Sequence, residues 1–323
     1  MSSKPLTRIA IVGASGRIGG AFARALAQTG THTVTALTRP GGSSSLPAGV
    51  IPIEVDYASE ASLAAALQGQ EFLAITLATS APPDVHARIC AAAAKAGVRY
   101  VMPNAYGSLR PVAGKEKEDD VYGEVARQRV EEVEAAGARA VVLACGLWYE
   151  WSLAVGEHGF GISIKERTVT FFDKGTRVIS VSTWDQCGRA LAGLLRLPET
   201  SGEGASVEGF AEKEVLVKSF RLSQRDMLNS LHRVLGTKDE DWEIRYETTG
   251  KRMWEGAAQL KAGNYMGFAR LLYADIFRPT NTLSTAAATR EADNVVLGLP
   301  EEDLDEATKR AVVMSEGGYN PFA

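Results

Sequence analysis

Three glycines in the segment IAIVGASGRIGG have the spacing of a site for nucleotide phosphates. Gly13, Gly16 and Gly19 lie between an apolar run and an amphipathic one, which predicts a turn from a strand into a helix. Glycine is needed where backbone amides approach a pyrophosphate and where a helix packs closely on a strand. The N-terminus of such a helix attracts anions. We therefore predict a dinucleotide site, with a purely structural turn as the alternative. The residues assigned to it are Gly13, Ser15, Gly16, Arg17, Ile18 and Gly19.

The end of the second apolar run, LTRP, distinguishes between the two nicotinamide dinucleotides. NAD-binding folds place an acid there on the ribose 2′-hydroxyl, about 20 residues after the glycines. This chain has Arg39 at that place, with no Asp or Glu nearby in the segment. A guanidinium pairs with a 2′-phosphate through its planar fork, and Arg17 supplies a second cation. The segment predicts NADP(H) as the cofactor, unless Arg39 is only a solvated loop charge.

Further cofactor contacts are expected where the next three apolar runs end, because ligands of open α/β sheets bind at the carboxyl ends of the strands. Asp56 and Tyr57 end the third run and are equally compatible with a plain loop. Asn104 is placed near the nicotinamide, with a simple turn residue as the alternative. The residues assigned at these three ends are Asp56, Tyr57, Leu77, Ala78, Thr79, Pro103 and Asn104.

The segment VYGEVARQR lacks a residue that many nucleotide-dependent reductases use, a lysine four places after a tyrosine. Here Tyr122 is followed by Ala126. Arg127 is the nearest cation, but a guanidinium stays protonated, so it only orients or stabilises charge. Tyr122 either donates a proton or packs in an apolar helical stripe, and a lone tyrosine with a pKa of about 10 is a poor donor. The catalytic candidates are Tyr122, Tyr106 and Arg127. Lys115 and Lys117 are further proton sources, unless they are solvated loop charges.

Aromatic residues follow a strand end in GLWYEWSL. Trp148, Tyr149 and Trp151, together with Tyr106, predict an apolar pocket for a flat ligand, with packing between domains as the alternative. The four histidines are scattered without metal-ligand spacing, so no metal site is expected.

The elements that carry these residues alternate between apolar runs and amphipathic helical patterns over the first 150 residues. This rhythm predicts an α/β fold, a Rossmann doubly wound parallel sheet. The crossover TRPGGSSSLPAG predicts a loop rather than a helix. We predict an NADP(H)-binding Rossmann domain over 1–150 and a smaller α+β domain, mainly for substrate, over 151–323. Strands near 178–187 and 214–220 are expected to rejoin or flank the first domain. The strands of the sheet are predicted at 9–12, 33–37, 51–55, 72–77, 100–102 and 140–145.

Composition limits the partners. The 323 residues carry a net charge of −4, and no basic run exceeds two residues, which argues against nucleic acid and against a charged membrane surface. No apolar run approaches the roughly 18 residues of a membrane helix, and no signal peptide is recognised. We expect a cytoplasmic monomer or homodimer whose partner is a small hydrophobic substrate. Cys90, Cys145 and Cys187 lie among apolar residues, which predicts reduced core thiols.

The segments IVGASGRIGG, LTRP, VRYVMPNAYGS and GLWYEWSLA resemble the NmrA-like and isoflavone-reductase-like branch of the atypical short-chain dehydrogenases. The likeness covers most of the chain, and LGLPEEDLDEATKRAV is similar to a segment of fungal members. The resemblance implies an NADP(H)-binding Rossmann domain with a smaller C-terminal domain over the nicotinamide. It implies either a reductase of a hydrophobic small molecule in secondary metabolism or a nucleotide-sensing regulator that catalyses nothing. In the reductases a lysine stands where this chain has Ala126.

Overall fold

The central element is a six-stranded parallel sheet in the order β3-β2-β1-β4-β5-β6. The computed structural model describes residues 3–41, 45–78, 80–107 and 123–317, without the side chains of 282, 283, 285 and 286. The strand order reverses between β1 and β4, and such a reversal opens the crevice in which doubly wound sheets bind ligands. The predicted Rossmann α/β fold is confirmed. The strands are β1 Arg8–Val12, β2 Thr33–Thr38, β3 Val50–Glu54, β4 Phe72–Ile75, β5 Tyr100–Met102 and β6 Arg139–Ala140.

Helices cover both faces of this sheet. In β1, Ile9 and Ile11 pack towards one face, while Ala10 and Val12 pack towards the other, so the strand is apolar and buried after Arg8. The described helices are α1 Arg17–Gln28, α2 Glu60–Ala66, α3 Val85–Lys95, α4 Gly123–Ala135, α5 Tyr149–Ala154, α6 Trp184–Arg196, α7 Val207–Ala211, α8 Gln224–Leu235, α9 Thr249–Lys261, α10 Met266–Phe277, α11 Thr282–Thr289 and α12 Leu304–Glu316. Helices α1 and α6 pack on the first face, whereas α2, α3 and α4 pack on the second.

The later part of the chain returns to the Rossmann sheet. After Val141 the backbone of β6 continues as β7 (Val142–Ala144), whose parallel neighbour is β12 (Glu214–Leu216). Helix α6 packs so closely on α1 that a Cβ atom at Gly188 would lie 2.5 Å from the carbonyl oxygen of Ala21. The chain after residue 150 therefore contributes a strand and a helix to the first domain.

Two small sheets and helices α5, α8, α10 and α12 form the second domain around one core, and α9 packs on α10. Helix α7 instead packs in the core of the Rossmann sheet. One sheet has the order β13-β11-β8 and the other β14-β10-β9. Their common core combines aliphatic side chains with aromatic rings that meet edge to face, among them Phe160, Phe172 and Phe277. The strands are β8 Leu147–Trp148, β9 Ile162–Ser163, β10 Thr168–Phe172, β11 Ile179–Ser182, β13 Phe220–Leu222 and β14 Glu243–Glu247.

Several local expectations can be compared with this fold. Residues 39–41 and 45–49, the described part of the crossover between β2 and β3, contain no helix, as predicted. All three cysteines are buried free thiols, which confirms that prediction. None of the helices in the described ranges is both long and apolar enough to cross a membrane. Within the same ranges, no group of three or more His, Cys, Asp or Glu side chains is placed to hold a metal ion.

Candidate active site

The glycine turn lies at the carboxyl end of β1, pressed against the end of β4. Gly13 has a φ of 78°, and a Cβ atom there would lie 2.2 Å from the carbonyl oxygen of Thr76. A Cβ atom at Gly19 would lie 2.2 Å from the carbonyl oxygen of Gly13. The N–H of Gly16 donates to that same oxygen at 2.8 Å. A side chain is thus sterically excluded at Gly13 and at Gly19, so the backbone at these two positions can be approached closely.

The N-terminus of α1 offers backbone donors without a competing acid. Gly16 is the N-cap and has no side chain, and the first turn contains no Asp or Glu. Ser15 and Gly16 are exposed, Arg17 is half-buried and the side chain of Ile18 is buried, which leaves Ile18 only its backbone for a ligand. A glycine turn next to a helix N-terminus that has no side-chain cap fits a dinucleotide pyrophosphate.

The expected adenosine end of the crevice carries both a cation and an acid. Arg39 is exposed directly after β2 and acts electrostatically on Tyr57, whose hydroxyl donates to the carbonyl oxygen of Leu37 at 2.8 Å. Burial raises the pKa of Tyr57 to about 12, although the Arg39 guanidinium opposes this. The acid comes from a different part of the sequence. Glu54 of the neighbouring strand accepts a hydrogen bond from the N–H of Gly41 at 3.2 Å.

Asp56 has local partners that explain its presence. Its carboxylate accepts the N–H of Ala58 at 2.9 Å, and its own N–H donates to the hydroxyl of Ser62 at 3.0 Å. These bonds shape the loop that enters α2. They favour the loop alternative for Asp56 over a contact with adenine.

The expected nicotinamide end is formed by the segments that follow β4 and β5. Leu77 and Ala78 follow β4, Pro103 and Asn104 follow β5, and Thr79 lies outside the described residues. The side-chain amide of Asn104 donates to the carbonyl oxygen of Leu77 at 3.1 Å, which ties the two strand ends together. Asn104 is therefore held in a turn at the carboxyl end of β5, and its contact with the nicotinamide stays a prediction.

Tyr106 does not fit the predicted roles of proton donor and pocket residue. Its side chain is 4% exposed, and its hydroxyl donates to the carbonyl oxygen of Ile75 at 2.6 Å. Its ring packs against Phe22 of α1 with 5.7 Å between ring centroids. The Tyr106 hydroxyl thus serves as a hydrogen-bond donor, within the core, to the last carbonyl group of β4.

Helix α4 presents an apolar stripe where the reductases carry their lysine. Ala126, Val130 and Val133 are buried in this stripe, as the periodicity predicts. Arg127 is half-buried beside them. Tyr122 and both loop lysines lie outside the described residues, so their roles stay predictions. At the position of the lysine, the helix offers only a methyl group.

The residues assigned to an aromatic pocket are divided between the buried core and partly exposed positions. Tyr149 is fully buried in the second domain, its hydroxyl 2.7 Å from that of Thr308, so its assignment to the pocket is wrong. Trp148 and Trp151 are partly exposed and meet edge to face, with 6.3 Å between ring centroids. Trp184 lies 6.5 Å from Trp148 and completes a group of three, which we call the indole cluster. The sequence alone does not assign Trp184 to a site. The one signal for it in the sequence is its place after an apolar run.

The indole cluster includes buried polar atoms. Among the described residues, the Nε1 atoms of Trp148 and Trp184 have no hydrogen-bond partner. Glu150, between the first two indoles in sequence, is 4% exposed, and its Oε1 atom accepts from Arg310 at 3.0 Å. Its Oε2 atom has no partner within the described part of the chain. Burial raises the pKa of this carboxyl.

Comparisons with known proteins agree with this geometry. Residues 13–147 match the family model described as NAD(P)H-binding. Oxidoreductase aprR of Aspergillus flavus is 24% identical over 93% of this chain and 96% of its own length. Triphenylmethane reductase of Citrobacter sp., solved with NADP(H), has a TM-score of 0.63 at 20% identity, covering 94% of this chain and 99% of that one.

A solved isoflavone reductase matches with a TM-score of 0.68 at 16% identity, over 94% of this chain and 99% of its own. The expected resemblance and the expected nicotinamide cofactor are thereby confirmed. Residues 13–147 therefore match the NAD(P)H-binding family model, and the fold is similar to that of isoflavone reductase over 94% of this chain.

Proposed function

We propose that this protein is an NADPH-dependent reductase that transfers hydride to a hydrophobic small molecule in secondary metabolism. The acceptor is one that needs little help from a proton donor, such as an iminium or a conjugated enone. The observation that carries this proposal is the buried Ala126 in place of the usual lysine, within a fold that retains the glycine turn. The burial of the Tyr106 hydroxyl in the core removes a second proton source from the described site.

NADPH supplies a hydride from its nicotinamide ring. The glycine turn and the N-terminus of α1 would hold the pyrophosphate, and Arg39 would pair with the 2′-phosphate. The turns after β4 and β5 would orient the nicotinamide. Positioning of donor and acceptor carbons then provides most of the rate, since the lysine is missing and the Tyr106 hydroxyl is held in the core.

The indole cluster supports a cationic, flat acceptor. Indole faces attract cations, and the attraction increases when water is excluded. An iminium carbon that accepts hydride becomes an amine carbon without proton transfer, so its reduction does not require the missing lysine. An enone accepts hydride at its β-carbon and takes its proton from water.

NADPH titration and turnover measurements test this proposal directly. Purified protein is titrated in parallel with NADPH, NADP+ and NADH, and the loss of NADPH absorbance is followed over matched pairs of neutral ketones and their iminium analogues, with enones and quinones added. Faster turnover of each iminium than of its ketone is expected. Equal turnover of the ketone and its iminium analogue would count against the proposal that the acceptor needs little help from a proton donor.

A nucleotide-sensing regulator is the second candidate, and the same two observations favour it. Loss of the lysine and burial of Tyr106 also suit a protein that binds NADP(H) without catalysis. Such a protein would distinguish NADPH from NADP+ in affinity and turn over none of the acceptors. The titration therefore separates the two candidates.

A further inference from the structure

A fully buried histidine, His86, lies in the first turn of α3 with both ring nitrogens in hydrogen bonds. Its Nε2 atom is 3.2 Å from the backbone nitrogen of Asn104, and its Nδ1 atom is 2.6 Å from the carboxylate of Glu132 on α4. A backbone N–H only donates, so Nε2 accepts from Asn104. The proton of a neutral ring then resides on Nδ1 and is donated to Glu132.

The carboxylate of Glu132 is itself held from the side of α4. Arg129 donates to its two oxygens at 2.9 and 3.2 Å, and Gln128 donates to one of them at 3.0 Å. Burial, with the Arg129 charge adding to it, lowers the pKa of His86 to about 4, although Glu132 acts in the opposite direction. The ring is therefore neutral near pH 7 and fixed in one tautomer.

The turn that His86 holds is the one after β5. Asn104 is bonded on two sides, by its N–H to His86 and by its side chain to Leu77 at the end of β4. The N–H of Ala105 donates to the carbonyl oxygen of Pro103 at 2.7 Å, which closes the turn. The three elements α3, α4 and β5 meet at this point.

We propose that His86 is a positioning residue for the nicotinamide half of the cofactor, because its Nε2 atom fixes the turn of residues 103–105 against the end of β4. This rests on the proposed function for the place of the nicotinamide. A histidine suits the task, since its two nitrogens lie on opposite sides of a rigid ring and bridge a helix to a turn without adding charge to the crevice.

Two substitutions separate the two ring nitrogens. In His86→Gln the amide oxygen reaches near the place of Nε2 and still accepts from Asn104, whereas the Glu132 bond is lost. In His86→Asn the shorter amide reaches near Nδ1 and still donates to Glu132, whereas Asn104 loses its acceptor. Cys90→Ala is the matched control, since Cys90 is buried one turn later, 3.6 Å from the ring, without touching Asn104.

The measurements are the NADPH dissociation constant, by cofactor fluorescence, and hydrogen exchange of residues 100–107 in nucleotide-free protein. We expect His86→Asn to weaken NADPH binding at least tenfold and to speed exchange of the Asn104 amide at least tenfold. His86→Gln and Cys90→Ala should remain within about threefold of the unmodified protein. A merely structural histidine would make the Gln and Asn variants equally weak.

Equal NADPH affinities for the Gln and Asn variants would overturn the proposal. If His86→Asn does not fold, nitrogen NMR of the unmodified protein decides: an Nε2 atom that carries the proton would overturn it, and a bare Nε2 atom whose resonance moves on adding NADPH would support it. Unmodified protein that binds NADPH but reduces no acceptor would reject the reductase and leave the role of His86 standing. Unmodified protein that does not bind NADPH would reject both.

Discussion

Replacing His86 by glutamine should flatten the dependence of stability on pH below neutrality. The folded protein holds the pKa of His86 at about 4, against 6.5 in the unfolded chain. The groups that face the ring are Glu132 and Arg129 from α4 and Cys90 from its own helix. Because the folded pKa is the lower one, the unfolded chain takes up the proton first as the pH falls.

The size of the effect follows from these two pKa values. The contribution of the neutral His86 to the free energy of unfolding is complete above about pH 6.5 and is lost as the pH falls towards 4. A difference of about 2.5 pKa units corresponds to at most about 3 kcal/mol, of which about 2 kcal/mol is lost between pH 7 and pH 5. The His86 ring is fully buried, so screening by solvent reduces this free-energy difference only slightly.

Urea unfolding at about pH 7 and about pH 5 measures the effect. Between these two pH values, the free energy of unfolding of the unmodified protein should fall by about 2 kcal/mol more than that of His86→Gln. His32 and His158, whose pKa values burial also lowers, occur in both proteins and cancel in the comparison. An identical pH dependence in the two proteins would show that folding does not lower the pKa of His86, which would refute this reasoning.

Three further predictions concern glycines and the cofactor. Gly19→Ala should abolish measurable NADPH binding, because the new Cβ atom would lie 2.2 Å from a carbonyl oxygen of the turn. Gly20→Ala is the control, since its nearest contact would be at 3.4 Å. In a fluorescence titration its NADPH dissociation constant should stay within about threefold of that of the unmodified protein. Arg39→Ala should raise the NADPH dissociation constant about tenfold or more, as expected for a lost charge-assisted bond of about 1.5–3 kcal/mol, and leave that of NADH unchanged; parallel titrations check this, and equal losses for both cofactors would contradict it. Gly256→Ala should lower the unfolding free energy by about 1–3 kcal/mol, because its Cβ atom would lie 2.8 Å from a backbone nitrogen of α10. Gly250→Ala in the same helix, with nothing within 4 Å, is the thermal-unfolding control and should be neutral or stabilising.

The glycine turn and the strands around it were predictable because their requirements are local. Gly13 needs a positive φ next to a strand end, and Gly19 needs close contact with the turn six residues before it. Both requirements restrict the residue type at a fixed spacing. Buried parallel strands show themselves as apolar runs, so the Rossmann domain could be derived from the sequence as well.

The roles of the aromatic residues could not be derived in this way. Tyr106 and Tyr149 each follow a strand, as a ligand contact would, yet their hydroxyl partners are 31 and 159 residues away. A phenol packs into a core or faces a pocket with the same local sequence. Only the position of the distant carbonyl or hydroxyl decides between the two.

The sequence by itself determined that this protein binds a nicotinamide dinucleotide on a Rossmann sheet and that it lacks the usual lysine at Ala126. Only the tertiary structure brought Glu54 beside the loop of Arg39 and placed His86 between Glu132 and Asn104. The reason is physical. A turn is encoded by the conformations open to adjacent residues, whereas a buried hydrogen bond forms between groups that packing alone brings within reach.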